Sequence, residues 1–361
     1  MSRPTLYVAV TNHGFGHAVR TASVVAAISR LNPDILPILV TTAPHWLLES
    51  YIESDFIQRH RGFDVGVIQS DSLKMDKDAT KEKLQQMKAQ ARSIIASEVN
   101  FVRTNRVSLI LADIPPLAAP LAKAADIPCW MMSNFGWDFI YQDWGEDFQD
   151  IVDWIRQCYQ QCDRLFRLPL SEPMSAFPNI VDVGLTGGNP RYRETELRSH
   201  FNLSAPKEKT ILLTFGGLGL EQIPYHNLQN FPEWQFITFD RNVPSLQNLI
   251  QVTEHHYRPV DFMPFCGRVI SKPGFSTFSE ALRQNIPIVS LTRDDFAESH
   301  FLLEGIRNYT HHQILTPDEF FHGNWDFLLD TPIPPRQNIS LDRNGSETIA
   351  KAVVDYFHSS P

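Results

Sequence analysis

The chain has 361 residues, 43% of them apolar and 20% charged, with a formal net charge of −9. That length exceeds one ordinary core, so two domains of roughly 150–200 residues each are expected. The negative charge argues against nucleic acid or an anionic membrane as a main partner, and no apolar run reaches the ~18 residues of a membrane-spanning helix.

The opening MSRPTLYVAVTNHG has too short an apolar run for a signal peptide. It reads as a first strand, TLYVAV, in a cytoplasmic protein. Residues 13–17, HGFGH, then place two glycines between two histidines, and HAVRTASVVAAISRL follows at helical spacing. ILPILVTT is a second strand, APHWLLESY a helix, and FDVGVI a third strand. Residues 43–52, APHWLLESYI, are the one stretch that could touch a membrane surface peripherally. Residues 78–105 carry charged and apolar residues at helical spacing. VSLILAD is a buried strand ending in an acid, PPLAAPLAKAAD a helix, and IPCWMMSN another strand. This βαβα order predicts a mostly parallel sheet with helices on both faces.

Residues 183–192, VGLTGGNPRY, read as a hinge or linker. KTILLTFGGLGLEQ then repeats the opening design of strand, glycine turn and helix. WQFITFD, GRVISK and IPIVSL add strands, FSTFSEALRQ and ESHFLLEGIR add helices, and TPIPPRQNISLD is a Pro-rich surface connection. GSETIAKAVVDYF is a terminal helix. The expected division is a first Rossmann-like domain over 1–185, a second over 204–340, and a helix over 345–358 returning to the first. Cys129, Cys158, Cys162 and Cys266 make no disulfide scaffold. Cys158 and Cys162 lack partners at zinc spacing, so reduced thiols and no metal site are expected.

Ligands of parallel sheets bind at the carboxyl ends of the strands. Gly14 and Gly16 lie there, where a missing side chain lets a ligand approach the backbone. No third glycine completes a dinucleotide fingerprint. His17 can accept a proton from a hydroxyl, or simply cap its helix. His13 has the same two readings. Asp113 can orient an imidazole, or cap the helix after Pro116. Asn134 could hydrogen-bond a polar ligand. Phe135, Trp137 and Tyr141 could wall a pocket or pack.

In the second half, Gly216, Gly217 and Gly219 follow a strand. Lys272 and Gly274 turn the chain into a helix that Ser276 and Thr277 can cap, a good place for a diphosphate. Glu280, one turn on, can accept from two vicinal hydroxyls of a ribose, or serve the helix dipole.

GFGHAVR, LILADIPP, SNFGWDFIY and SKPGFSTFSEAL with RDDFAES together resemble, in order, the landmarks of GT-B fold glycosyltransferases. They are similar to the peptidoglycan N-acetylglucosaminyltransferase group and to the glycosyltransferase-like N-terminal half of plant L-arabinokinases. The resemblance implies two Rossmann-like domains facing a cleft. It implies an inverting, metal-independent transferase that uses a nucleotide-diphosphate sugar, a UDP-sugar, as co-substrate and needs no cofactor. By that resemblance His17 is the base and Asp113 its orienter, while His13, Gly14, Gly16, Asn134 and Trp137 face the acceptor. Gly216, Gly217, Gly219, Lys272, Gly274, Ser276, Thr277 and Glu280 hold the nucleotide diphosphate, and Asp294, Asp295 and Glu298 the donor sugar. DDFAE replaces the family's Asp-Gln sugar pair. The alternatives are a sugar-nucleotide 2-epimerase and a binding or regulatory module without turnover.

Overall fold

A computed structural model describes residues 3–69, 75–216, 220 and 223–359. The chain divides into two compact units. One contains 3–69, 75–187 and 342–359 among the described residues, and the other lies within 188–341.

The first unit is built on seven strands: β1 (Thr5–Val10), β2 (Leu36–Val40), β3 (Ile57–Arg59), β4 (Val107–Asp113), β5 (Cys129–Ser133), β6 (Arg164–Arg167) and β7 (Ile180–Asp182). Their order is β3-β2-β1-β4-β5-β6-β7, and every pairing is parallel. Central β1 is buried along its whole length, as its unbroken run TLYVAV requires. The terminal helix Gly345–Ser359 belongs to this unit. Tyr356 packs edge-on to Trp130 and donates its hydroxyl to the Ser108 carbonyl at 2.9 Å.

The second unit has six parallel strands: β8 (Thr210–Leu213), β9 (Gln235–Thr238), β10 (Leu249–Gln251), β11 (Arg268–Ser271), β12 (Ile288–Leu291) and β13 (His312–Leu315). Their order is β10-β9-β8-β11-β12-β13. Ile211, Leu213, Phe236, Ile270 and Leu291, from four of these strands, pack with Phe320 and Trp325 in its core. In each sheet the direction of winding reverses at one place, between β1 and β4 and between β8 and β11. Ligands of doubly wound folds bind at such a switch point.

Several expectations need correction. FDVGVI is not a strand, and the edge strand is Ile57–Arg59 instead. Residues 63–68 form a loop with its own polar partners. The Asp64 carboxylate accepts the Asn12 N–H, Val67 N–H meets His13 Nδ1, and Ile68 N–H reaches the Thr80 hydroxyl. The helix expected after Gly216 falls on residues 217–222, which apart from Leu220 lie outside the described residues. The next element is a 3-10 turn, Tyr225–Asn230. In the stretch that could touch a membrane, Leu47, Leu48, Tyr51 and Ile52 are buried and Trp46 is half-buried. All four cysteines are free and buried.

Residues 186–203, expected between domains, are divided at Gly187 and Gly188. On the first unit's side the chain crosses its own return. Leu185 N–H donates to the Asp342 carbonyl at 2.7 Å, and Gly345 N–H to the Leu185 carbonyl at 3.1 Å. On the second unit's side Arg283 donates to the Gly188 carbonyl and the Asn189 side chain, and Asp261 accepts the Arg191 N–H.

Candidate active site

The first unit's site grows from the register of two neighbouring strands. Val10 at the end of β1 lies opposite Asp113 at the end of β4. Gly14 takes a left-handed conformation (φ +59°), which favours glycine and lets the chain turn there into the helix Gly16–Leu31. Phe15 is the N-cap residue, without a side-chain cap. His17 therefore does not cap. Its Nδ1 lies 2.9 Å from Asp113 Oδ1, with both groups buried. Asp113 does not cap either, because the next helix starts at Ala118 with Leu117 before it.

Arg20, one turn after His17 on the same helix face, completes the cluster. Its Nε donates to Asp113 Oδ2 at 2.5 Å, and Nη1 to Asn134 Oδ1 at 2.6 Å. Its Nη2 donates to Asp113 Oδ1 at 2.5 Å and to Ser133 Oγ at 3.0 Å. Thr21 Oγ1 adds a further donor to Asp113 Oδ2 at 3.1 Å. Nη2 has only two hydrogens, and those two acceptors use both. The 2.8 Å approach of Nη2 to His17 Nδ1 is thus a meeting of two donors around one carboxylate oxygen. Nδ1 carries the proton, and Nε2 keeps its lone pair.

Electrostatics agree with that tautomer. Burial alone would raise the Asp113 carboxyl, but the Arg20 guanidinium and the His17 ring outweigh it and hold it at about 2. Burial lowers the proton affinity of His17, the Arg20 charge lowers it further, and Asp113 only partly opposes them. The pair is an ionised carboxylate and a neutral imidazole near neutral pH.

The remaining residues of this edge form a shell around the pair. The rings of Phe135 and Trp137 lie 5.6 and 6.3 Å from His17, and that of His13 lies 6.3 Å away. Trp137, expected to face an acceptor, is fully buried and backs the site. Its indole N–H is shared between Thr11 Oγ1 at 2.9 Å and Asp64 Oδ2 at 3.1 Å. Asn134 is also buried and accepts from Arg20. His13 is half-buried, whereas Gly14 and Gly16 are exposed. Burial raises the Asp64 carboxyl to about 7, against the hydrogen bonds from Asn12 and Trp137.

In the second unit, Gly216, Lys272, Gly274, Ser276, Thr277 and Glu280 follow β8 and β11, the two strands of its switch point, whereas Asp294, Asp295 and Glu298 follow β12. Gly216, after β8, has φ +83°, and a Cβ there would lie 3.6 Å from Lys272 Cε. Gly217 and Gly219 lie outside the described residues. Gly274 is the N-cap residue of the helix Phe275–Arg283, in extended conformation and without a side-chain cap. Ser276 and Thr277 therefore stand inside the first turn and do not cap it. Glu280 is buried, and its Oε1 accepts the Gly188 N–H at 2.9 Å. Asp294 and Asp295 are exposed after β12, while Glu298 is buried as the first residue of the helix Glu298–Tyr309. Among the described residues no group of three His, Cys, Asp or Glu side chains could hold a metal ion, and no helix is long and apolar enough to cross a membrane.

The sequence reading missed Arg20, Thr21, Ser133 and Asp64. Only Arg20 left a signal, since a basic residue three positions after His17 shares its helix face. Asp64 was hidden inside an apolar run.

No protein-family model matches the chain. The L-arabinokinase of Arabidopsis thaliana is 29% identical over 352 residues, which cover 94% of this chain and 33% of that protein. The chain thus spans about a third of the length of the curated relative it matches. Among solved structures, Arabidopsis thaliana UGT89C1 complexed with UDP has a TM-score of 0.59 at 12% identity, covering 97% of this chain and 94% of that one. The calicheamicin glycosyltransferase CalG4 has a TM-score of 0.57 at 14% identity, covering 98% and 95%. Two Rossmann-like parallel sheets in this arrangement of strands are the GT-B glycosyltransferase fold.

Proposed function

We propose that this chain is an inverting glycosyltransferase that moves a sugar from a nucleotide-diphosphate sugar to an acceptor hydroxyl. The observation that carries the reading is the buried His17–Asp113 pair, 2.9 Å apart, with Nε2 of His17 left to act. Nε2 takes the acceptor hydroxyl proton while that oxygen forms a bond to the anomeric carbon. The bond from that carbon to the diphosphate breaks, and the nucleoside diphosphate leaves with the electron pair. One displacement of this kind inverts the anomeric centre.

The charge of the departing diphosphate needs compensation at that moment. Lys272 and the N-terminal turn of the helix Phe275–Arg283, with its positive dipole end, supply it without a bound metal. In this reading Ser276, Thr277 and the Gly216 turn line the diphosphate, and Asp294, Asp295 and Glu298 address the donor sugar. In this reading Glu280 faces the ribose hydroxyls. UGT89C1 complexed with UDP supports a uridine donor by likeness of fold.

Calorimetric titration with UDP-sugars tests the donor half. The wild-type chain is expected to bind one donor per chain. Glu280→Gln keeps an amide oxygen for Gly188 N–H but replaces the second carboxylate oxygen with an amide donor. Its affinity should fall by about 1–3 kcal/mol. Unchanged affinity removes Glu280 from the site. Binding by both forms with no transfer to any acceptor would instead support a module without turnover.

A further inference from the structure

We infer that Arg20 is a positioning residue, whose guanidinium fork fixes Asp113 against the end of β5 and so holds His17 as a neutral base with Nε2 unprotonated. The inference deepens the reading of His17 as the base and rests on it.

The geometry is that of a single clamp. Four donor contacts reach the two Asp113 oxygens: His17 Nδ1, Arg20 Nε, Arg20 Nη2 and Thr21 Oγ1. Two come from the planar fork of Arg20, which matches a carboxylate in a way a lysine ammonium cannot. The same guanidinium reaches Asn134 Oδ1 and Ser133 Oγ, so it ties the ends of β4 and β5 to the first helix. Asp113 cannot turn without breaking contacts to three neighbouring residues.

The clamp also changes the charge that His17 meets. A lone ionised carboxylate 2.9 Å from a buried imidazole favours imidazolium, because the ion pair is mutually stabilised. A protonated His17 has no lone pair with which to take a proton. Arg20 makes the carboxylate and guanidinium together neutral, which leaves burial to decide in favour of the uncharged ring. The other charged and titratable groups around His17 do not replace this effect. His13, from the glycine turn, is 6.3 Å away between ring centres. Asp64, from the 63–68 loop, shares the Trp137 indole. Burial and, to a lesser degree, repulsion from the Asp113 carboxylate keep it protonated up to about pH 7, so it adds no charge below that. Asp138, on the helix Trp137–Gln142, is paired with Arg156. Phe135 and Trp137, whose rings lie 5.6 and 6.3 Å from His17, carry no charge, and neither do Ser133 and Asn134, which contact Arg20.

The test reads the His17 ring nitrogens directly, by 15N NMR of the imidazole across a pH titration of the whole chain, with His17→Asn for assignment. In the wild type His17 should stay in its Nδ1–H form to below pH 6.5, the ordinary value for histidine. In Arg20→Met its half-protonation should move up by about one pH unit or more. A folded Arg20→Met with the wild-type tautomer and half-protonation pH overturns the inference, as does an Nε2–H tautomer in the wild type. Arg20→Lys keeps the charge and decides the matter if Arg20→Met does not fold. The lysine variant should keep His17 neutral but populate both tautomers, because an ammonium cannot bridge Asp113, Ser133 and Asn134. A pure Nδ1–H ring in Arg20→Lys would overturn the positioning role. The readout needs no substrate, so the absence of any sugar transfer would defeat the proposed function and leave this result standing.

Discussion

Asp64 shows how one buried carboxyl shapes the behaviour of a site. It accepts from the Asn12 amide and the Trp137 indole, yet burial still raises it to about 7. The folded chain therefore holds a proton that the unfolded chain releases near 3.8. The stability tied to this proton is complete below that value and is lost as pH rises through about 7. Asp113 works in the opposite sense. Its carboxyl is held at about 2, so its contribution is complete above 3.8 and is lost as pH falls toward 2. Two results are expected for Asp64. The Trp137 indole N–H resonance should titrate with a midpoint near 7, and Asp64→Asn should abolish that titration and flatten the fall in melting temperature between about pH 4 and 7. An indole resonance insensitive to pH would show that Asp64 is ionised throughout. At this scale His17 and Asp113 were legible because each ends or follows a strand that the apolar pattern marks clearly. Arg20 and Asp64 were not, because their importance comes from burial and partners that no local pattern encodes.

Elements were legible where apolar runs were long, and were misread where a loop was held by side chains. FDVGVI has the alternation of a strand. Gly66, however, takes φ +60°, and the Tyr141 hydroxyl donates to its carbonyl at 2.7 Å. A Cβ at position 66 would lie 2.7 Å from the His13 Cβ and 3.0 Å from the Asn12 carbonyl oxygen. Only glycine meets both demands, the left-handed backbone and the close approach to the His13 turn. Gly66→Ala should cost about 1–3 kcal/mol of stability, measured by denaturant unfolding, and should displace His13. An unchanged unfolding midpoint would mean that the 63–68 loop yields freely. The short strands β10 and β13 escaped the sequence reading for a simpler reason. HQIL is as long as TILL, which was read, but in LIQ and HQIL polar residues leave only a pair of apolar neighbours, where TILL has a run of three.

Over the whole molecule, the legible feature was a design used twice. Each sheet has a buried strand that runs into a glycine turn, β1 into Gly14 and β8 into Gly216, and each reverses its winding beside that strand. That repetition was visible in the sequence, and it places His17 with Asp113, and Gly216 with Lys272 and Gly274, at the switch points of the two sheets. The exact parting of the units was less visible. It depends on Arg283 and Asp261 holding residues 188–191, and on the backbone of Gly184–Leu185 lying against that of Asp342 and Gly345. These are contacts between residues far apart in the chain. In the proposed reaction one unit takes the acceptor proton and the other holds the donor, and His17 is the group that takes the proton. The most direct measurement is product analysis of the wild type and His17→Ala. Each is incubated with UDP-sugars alone and with a panel of alcohol, phenol and sugar acceptors, alongside a donor titration. The account predicts that the wild type consumes donor only with acceptor and forms a product of inverted anomeric configuration. His17→Ala should be slower by roughly 10²–10⁴-fold with donor affinity nearly unchanged. Wild-type turnover in His17→Ala, or conversion of the donor sugar without any acceptor, would contradict it.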